Sequence, residues 1–166
     1  MENKENVKTL FAVDFSKSIK EFKFYFEKLR ELKQKYYNSS RGDKFYIWGS
    51  GYFYLNEKEF DRFINEEVGK FDERHNYYIA EIGKETKNEN FDHLIIVTNG
   101  SVSSEDIDES DKRVHAYRLT YKYVSFYFIG NEGNVSVGFP YMRDSISETI
   151  LIDNNGNYRL LKFGKK

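Results

Sequence analysis

The chain has no cysteine, a single proline and no long apolar run. The missing cysteine excludes disulfides and thiolate metal sites, and with them a small secreted disulfide scaffold. No stretch approaches the roughly 18–20 apolar residues of a membrane span. The opening "MENKENVK" lacks the apolar segment of a signal peptide, so a cytoplasmic domain is expected. Charge of one sign is also lacking: 26 Lys and Arg face 27 Asp and Glu, a formal net charge of −1. No overall basic field draws the protein onto nucleic acid. What is abundant is aromatic residues, at 18% of 166 positions, which argues for one packed core rather than disorder.

Apolar runs and helical periodicities alternate along the chain. "KTLFAV" (8–13) reads as a short buried strand. Residues 18–37 read as an amphipathic helix, with Phe22, Phe26, Leu29, Leu32 and Tyr36 on one face. "NSSRGD" (38–43) reads as a loop, and "KFYIWGSGYFYL" as two strands about Gly49-Ser50-Gly51. A helix follows over 57–70, with a loop and a weaker helix over "RHNYYIAEIGKETKN". "DHLIIVTNG" is the clearest strand; a helix from Ser103 and a strand at "YVSFYFIG" come next. "ETILIDNNGNYRLLKF" reads either as two strands about Asn154-Asn155-Gly156 or as a short helix and a strand. This alternation implies one α/β domain with a mostly parallel sheet. Ligands of such sheets bind beyond the carboxyl ends of the strands, near a topological switch point. Asp14 and Asn99 both fall at strand ends of that kind.

Asp14, Ser16 and Ser18 stand at alternate positions just past the first strand, so their oxygens can point the same way. One carboxylate and two hydroxyls form a hard, low-charge set suited to magnesium. Ser16 or Ser18 equally suits the N-cap of the helix that begins near Ile19.

"FAVDFSKS" resembles the Asp-x-Ser-x-Ser signature that opens the metal-ion-dependent adhesion site of von Willebrand factor A domains. "LIIVTNGSVSSEDI" resembles the later strand of that family, usually ending in Thr-Asp-Gly, and "VSFYFIG" the strand after it. The likeness covers roughly residues 8–130; the tail 130–166 matches poorly. It implies a Rossmann-like three-layer sandwich: a mostly parallel central sheet with one antiparallel edge strand and helices on both faces. It also implies a protein-interaction module. Mg2+ at Asp14, Ser16, Ser18 and Asn99 would accept an Asp or Glu of a partner protein, and loops 38–43, 73–78 and 100–104 would set specificity. Two departures stand against a full site. Asn99 replaces the family's aspartate, and no threonine occurs in "RHNYYIAEIG", Thr86 coming too late. The resemblance therefore implies a site short of one ligand and one charge, holding magnesium weakly or not at all.

The other candidates have plainer readings. Arg41-Gly42-Asp43 matches the integrin-binding tripeptide but reads as a turn. The acids from Glu105 to Asp111 suit a first helical turn. His75, His93 and His115 share no zinc-ligand spacing; His75 lies in a loop expected to approach Asp14. The aromatic hairpin reads as core packing with an exposed tyrosine face suited to a protein contact. A second function class is a magnesium-dependent phosphoryl-transfer or hydrolytic enzyme using Asp14. It needs a second carboxylate beside Asp14 and a closed pocket. Ser16 stands where the general acid of a haloacid-dehalogenase phosphatase would be.

Overall fold

The computed structural model describes residues 7–15, 23–49, 53–67, 89–98, 121–130 and 146–161. Seven strands form one sheet in the order β3-β2-β1-β4-β5-β6-β7. They are β1 (Thr9–Phe15), β2 (Lys44–Gly49), β3 (Phe53–Leu55), β4 (His93–Thr98), β5 (Tyr123–Ile129), β6 (Ile146–Ile152) and β7 (Tyr158–Leu161). β1 pairs in parallel with both β2 and β4, and the parallel run continues through β5 to β6. β3 and β7 are antiparallel. The molecule therefore has two antiparallel edge strands, one at each border, where the family likeness implies one. The second arises because the tail folds as a hairpin. Asp153 turns it: Oδ1 accepts from the amides of Asn155 and Asn157 at 2.9 and 3.0 Å. Gly156, at φ 83°, takes the left-handed position that the turn requires.

Parallel central strands are covered on both faces, so their runs are mostly apolar. β1 and β4 are buried throughout. Odd-numbered residues of these strands, Phe11, Val13, Phe15, Ile95 and Val97, join one core cluster. Even-numbered residues, Leu10, Ala12, Leu94 and Ile96, join the other. Both described α-helices lie on the odd face. α1 (Lys23–Tyr36) buries Tyr25, Phe26, Leu29 and Leu32 there. α2 (Glu57–Arg62) contributes Phe60 and runs on into a π-helical turn, Phe63–Glu67, which adds Ile64. The start of α2 is fixed by a capping box: Asn56 accepts from the amide of Glu59, whose carboxylate accepts from the amide of Asn56, both at 2.9 Å. The segments read from sequence as further helices, over 74–88 and from Ser103 onward, lie outside the described residues. Among the described residues no helix is long and apolar enough to cross a membrane.

The described aromatics of the β2–β3 hairpin are largely interior. Phe45, Tyr46 and Trp48 are all buried, and Tyr54 is half-buried. The exposed tyrosine face expected of this hairpin is not found at Tyr46 or Tyr54, which pack into the cluster of Leu10, Trp48 and Phe91 on one face of the sheet; Tyr52 lies outside the described residues. Glu89 ties the border together: Tyr54 donates its hydroxyl to Oε2, and Lys8 Nζ lies 3.2 Å from Oε1. Burial pushes this carboxyl up, but the bonds from Tyr54 and Lys8 outweigh it and hold Glu89 below its ordinary value of 4.5. A depressed carboxylate stabilises the fold above its unfolded value and loses that contribution as pH falls through the lower folded value. Glu89→Gln is therefore expected to remove part of the stability at pH 7 and to flatten its decline below the ordinary value. Urea midpoints measured from pH 7 down to pH 3 check this; an unchanged acid limb would refute it.

Candidate functional site

The two strand ends singled out in the sequence meet. β1 and β4 are neighbours, and between them the strand order reverses: β2 and β3 lie to one side, β5 to β7 to the other. The carboxyl ends of β1 and β4 thus form the topological switch point of the sheet. Asp14 is the penultimate residue of β1 and Thr98 the last of β4. By alternation both occupy the face of Leu10, Ala12, Leu94 and Ile96. The Thr98 hydroxyl donates to Asp14 Oδ2 at 2.6 Å, the length of a hydroxyl bonded to an ionised carboxylate.

Asp14 was placed by its sequence just beyond the strand; it lies within it. The ladder to β2 runs two residues further, pairing Asp14 with Trp48 and Phe15 with Gly49. Phe15 is buried and meets Phe26 and Phe63, which draws the strand onward. Asp14 is consequently 1% exposed rather than set on a solvated rim.

Tyr25 secures the strand ends from the opposite face. The β1–β4 register ends at Val13 and Val97. There the buried phenol of α1 donates to the carbonyls of Asp14, at 2.7 Å, and Val97, at 3.1 Å. Burial raises this phenol well above 10.0, and the Asp14 charge adds to the rise. The hydroxyl therefore remains a donor. Trp48, opposite Asp14 in the β1–β2 register, keeps its Nε1 buried without a hydrogen bond among the described residues.

Ser16, Ser18 and Asn99 lie outside the described residues, as do Thr86, His75, His115, the acids 105–111 and loops 73–78 and 100–104. Of the proposed ligands, Asp14 alone is placed. Thr98 and Tyr25 were missed by sequence reasoning. Thr98 had one usable signal: like Asp14, it is a polar residue ending an apolar run. Among the described residues no group of three or more His, Asp or Glu side chains is arranged to hold a metal ion.

Arg41-Gly42-Asp43 is a structural turn. Residues Ser39–Arg41 form a 3-10 helix capped by Asn38, and Gly42 at φ 80° ends it. The Asp43 carboxylate is buried, accepting from the amides of Thr9 (2.8 Å) and Asn38 (3.0 Å) and from Arg41 Nη2 (2.7 Å). A partner reading the tripeptide from outside would not reach it.

At the opposite rim, where β4 and β5 begin, a second polar chain crosses the sheet. His93 Nε2 lies 2.9 Å from Ser125 Oγ, which donates to Glu148 Oε2 at 3.0 Å. The serine stands in the middle and gives its proton to the carboxylate. This is the wrong order for an activated nucleophile, which needs the imidazole between acid and hydroxyl.

Compared with known proteins, the chain matches no family model, and no curated protein matches its sequence.

Proposed function

We propose that the chain is a protein-interaction module of the von Willebrand factor A type, working from the rim where β1 and β4 end. The observation that carries this reading is the Asp14–Thr98 bond across the switch point. It joins "DFSKS" to "VTNG", the two segments whose oxygens the proposal needs at one place. The donor chemistry fits a hard divalent cation: one carboxylate at Asp14, hydroxyls at Ser16 and Ser18, and the amide oxygen of Asn99. Those four residues would hold Mg2+. When bound, the ion would supply an electrophilic position for an Asp or Glu of the partner protein. A metal-free form of the same module is favoured by one specific observation, the near-complete burial of Asp14. There the Asp14–Thr98 pair shapes the rim and the partner contacts it directly.

Calorimetric titration with magnesium or manganese separates the two forms. With metal binding, wild type shows saturable heat, and Asp14→Asn weakens the affinity by about tenfold or more, the worth of one charged ligand contact. A parallel urea melt establishes that the variant is folded. Silence in both proteins assigns the metal-free form. Saturable heat that survives Asp14→Asn unchanged overturns the assignment of Asp14 as a ligand.

A further inference from the structure

A cavity of about 260 Å3 lies at the amino ends of β1 and β4, on the rim opposite Asp14, beneath the last turn of α1. Five residues of β1 separate the two rims, about 16 Å at the rise of a strand. Lys35, Arg41 and His93 line the cavity together with Tyr36, Tyr37 and Ile95, and no carboxylate is among its described lining residues. Two acids partner the lining groups: Asp43, paired with Arg41, is occupied by three donors, and Glu148 accepts from Ser125, the partner of His93.

The basic groups are oriented by their neighbours. Arg41 Nη2 donates both to Asp43 and to the carbonyl of Tyr36, the latter at 2.5 Å. Lys35 Nζ lies 5.3 Å from the ring centre of Tyr36 and 5.7 Å from that of Tyr158. His93 is oriented by Ser125, and Ser125 by Glu148. Groups fixed before binding lose little freedom when a ligand arrives. Size narrows the occupant further. A cavity of about 150 Å3 holds benzene, so this one takes a single ring with one charged substituent.

We propose that this cavity is a binding site for a small organic oxyanion, a carboxylate or phosphate on one flat ring. Lys35, Arg41 and His93 meet the anionic oxygens, and Tyr36 and Tyr37 flank the ring. The test uses the whole chain with benzoate, phenyl phosphate and benzamide as probes, followed by amide chemical shifts at constant ionic strength. Benzoate or phenyl phosphate is expected to saturate, with neutral benzamide weaker by about tenfold or more, since hydrogen bonds to charged groups are the strong ones. The tighter anion decides between carboxylate and phosphate. Lys35→Gln, an exposed position, is expected to weaken the anion by about tenfold while leaving the urea midpoint unchanged. Lys28→Gln, a lysine of α1 outside the cavity lining, should leave affinity as it was. Failure of both anions to saturate, equal binding of benzamide, or affinity undiminished in both Lys35→Gln and Arg41→Gln would overturn the proposal.

Discussion

Asp43→Ala is expected to lower stability by about 3 kcal/mol or more. The magnitude follows from what the carboxylate holds. It accepts from two main-chain amides, Thr9 at the start of β1 and Asn38 after α1, and from the guanidinium of Arg41. Alanine leaves the buried Thr9 amide without this acceptor and deprives a largely buried arginine of its counter-charge. Removing one partner of such a pair costs far more than the pair contributes on balance. Asp43→Asn keeps an acceptor but not the charge, so it should fall between wild type and alanine. Trp48, the sole tryptophan, is buried and reports urea unfolding by its fluorescence. An alanine variant within about 1 kcal/mol of wild type would mean that water satisfies these donors.

Phe45→Ala is expected to cost about 3–5 kcal/mol. Phe45 is fully buried on β2 and lies against three rings, each from a different segment. Its centroid is 4.0 Å from that of Phe60 on α2, at 7° between planes, 5.1 Å from Phe11 on β1 and 5.3 Å from Tyr37 after α1. The ring therefore joins the sheet to the loop after α1 and to α2. Alanine removes the apolar area and opens a void between elements that cannot all close on it. Phe45→Leu refills most of the volume without ring faces, so roughly half the loss should remain. Denaturant unfolding of the two variants measures the difference. Equal losses would show that the stacking geometry contributes little beyond buried area.

The fold was legible where burial dictates composition. β1, β4 and β5 are almost wholly apolar because both faces of a central parallel strand are covered, and their runs stand out. The antiparallel pairing of β2 with β3 was readable as a hairpin, and the turn at Asn154–Gly156 was one of two readings left open, beside a short helix and a strand. The order of strands across the sheet was not, since nothing local says that β1 pairs with β4. The carboxyl rim was half legible. Asp14 and the segment ending at Asn99 were singled out; the contact among the described residues is made by Thr98, which strand alternation puts on the face of Asp14, and Asn99 lies outside them. Tyr25 was indistinguishable from core, as its hydroxyl bonds to main-chain carbonyls, which no side-chain pattern marks. The chain His93–Ser125–Glu148 left no trace in sequence spacing, for it exists only through the registers of β4, β5 and β6.

The central place of β1 bears on how the polypeptide reaches its native state. The Asp14–Thr98 contact spans 84 residues, so this flank of the strand closes only after a long stretch of chain has been made. On a ribosome β2 and β3 emerge soon after β1, and one side of Leu10–Val13 can pair early. The other side waits as an unpaired apolar edge until His93–Thr98 arrives. Topologies of this kind fold slowly and present sticky intermediates. A nascent chain halted before β4 should therefore be a good substrate for chaperones, and released fragments ending there should aggregate rather than form half a domain.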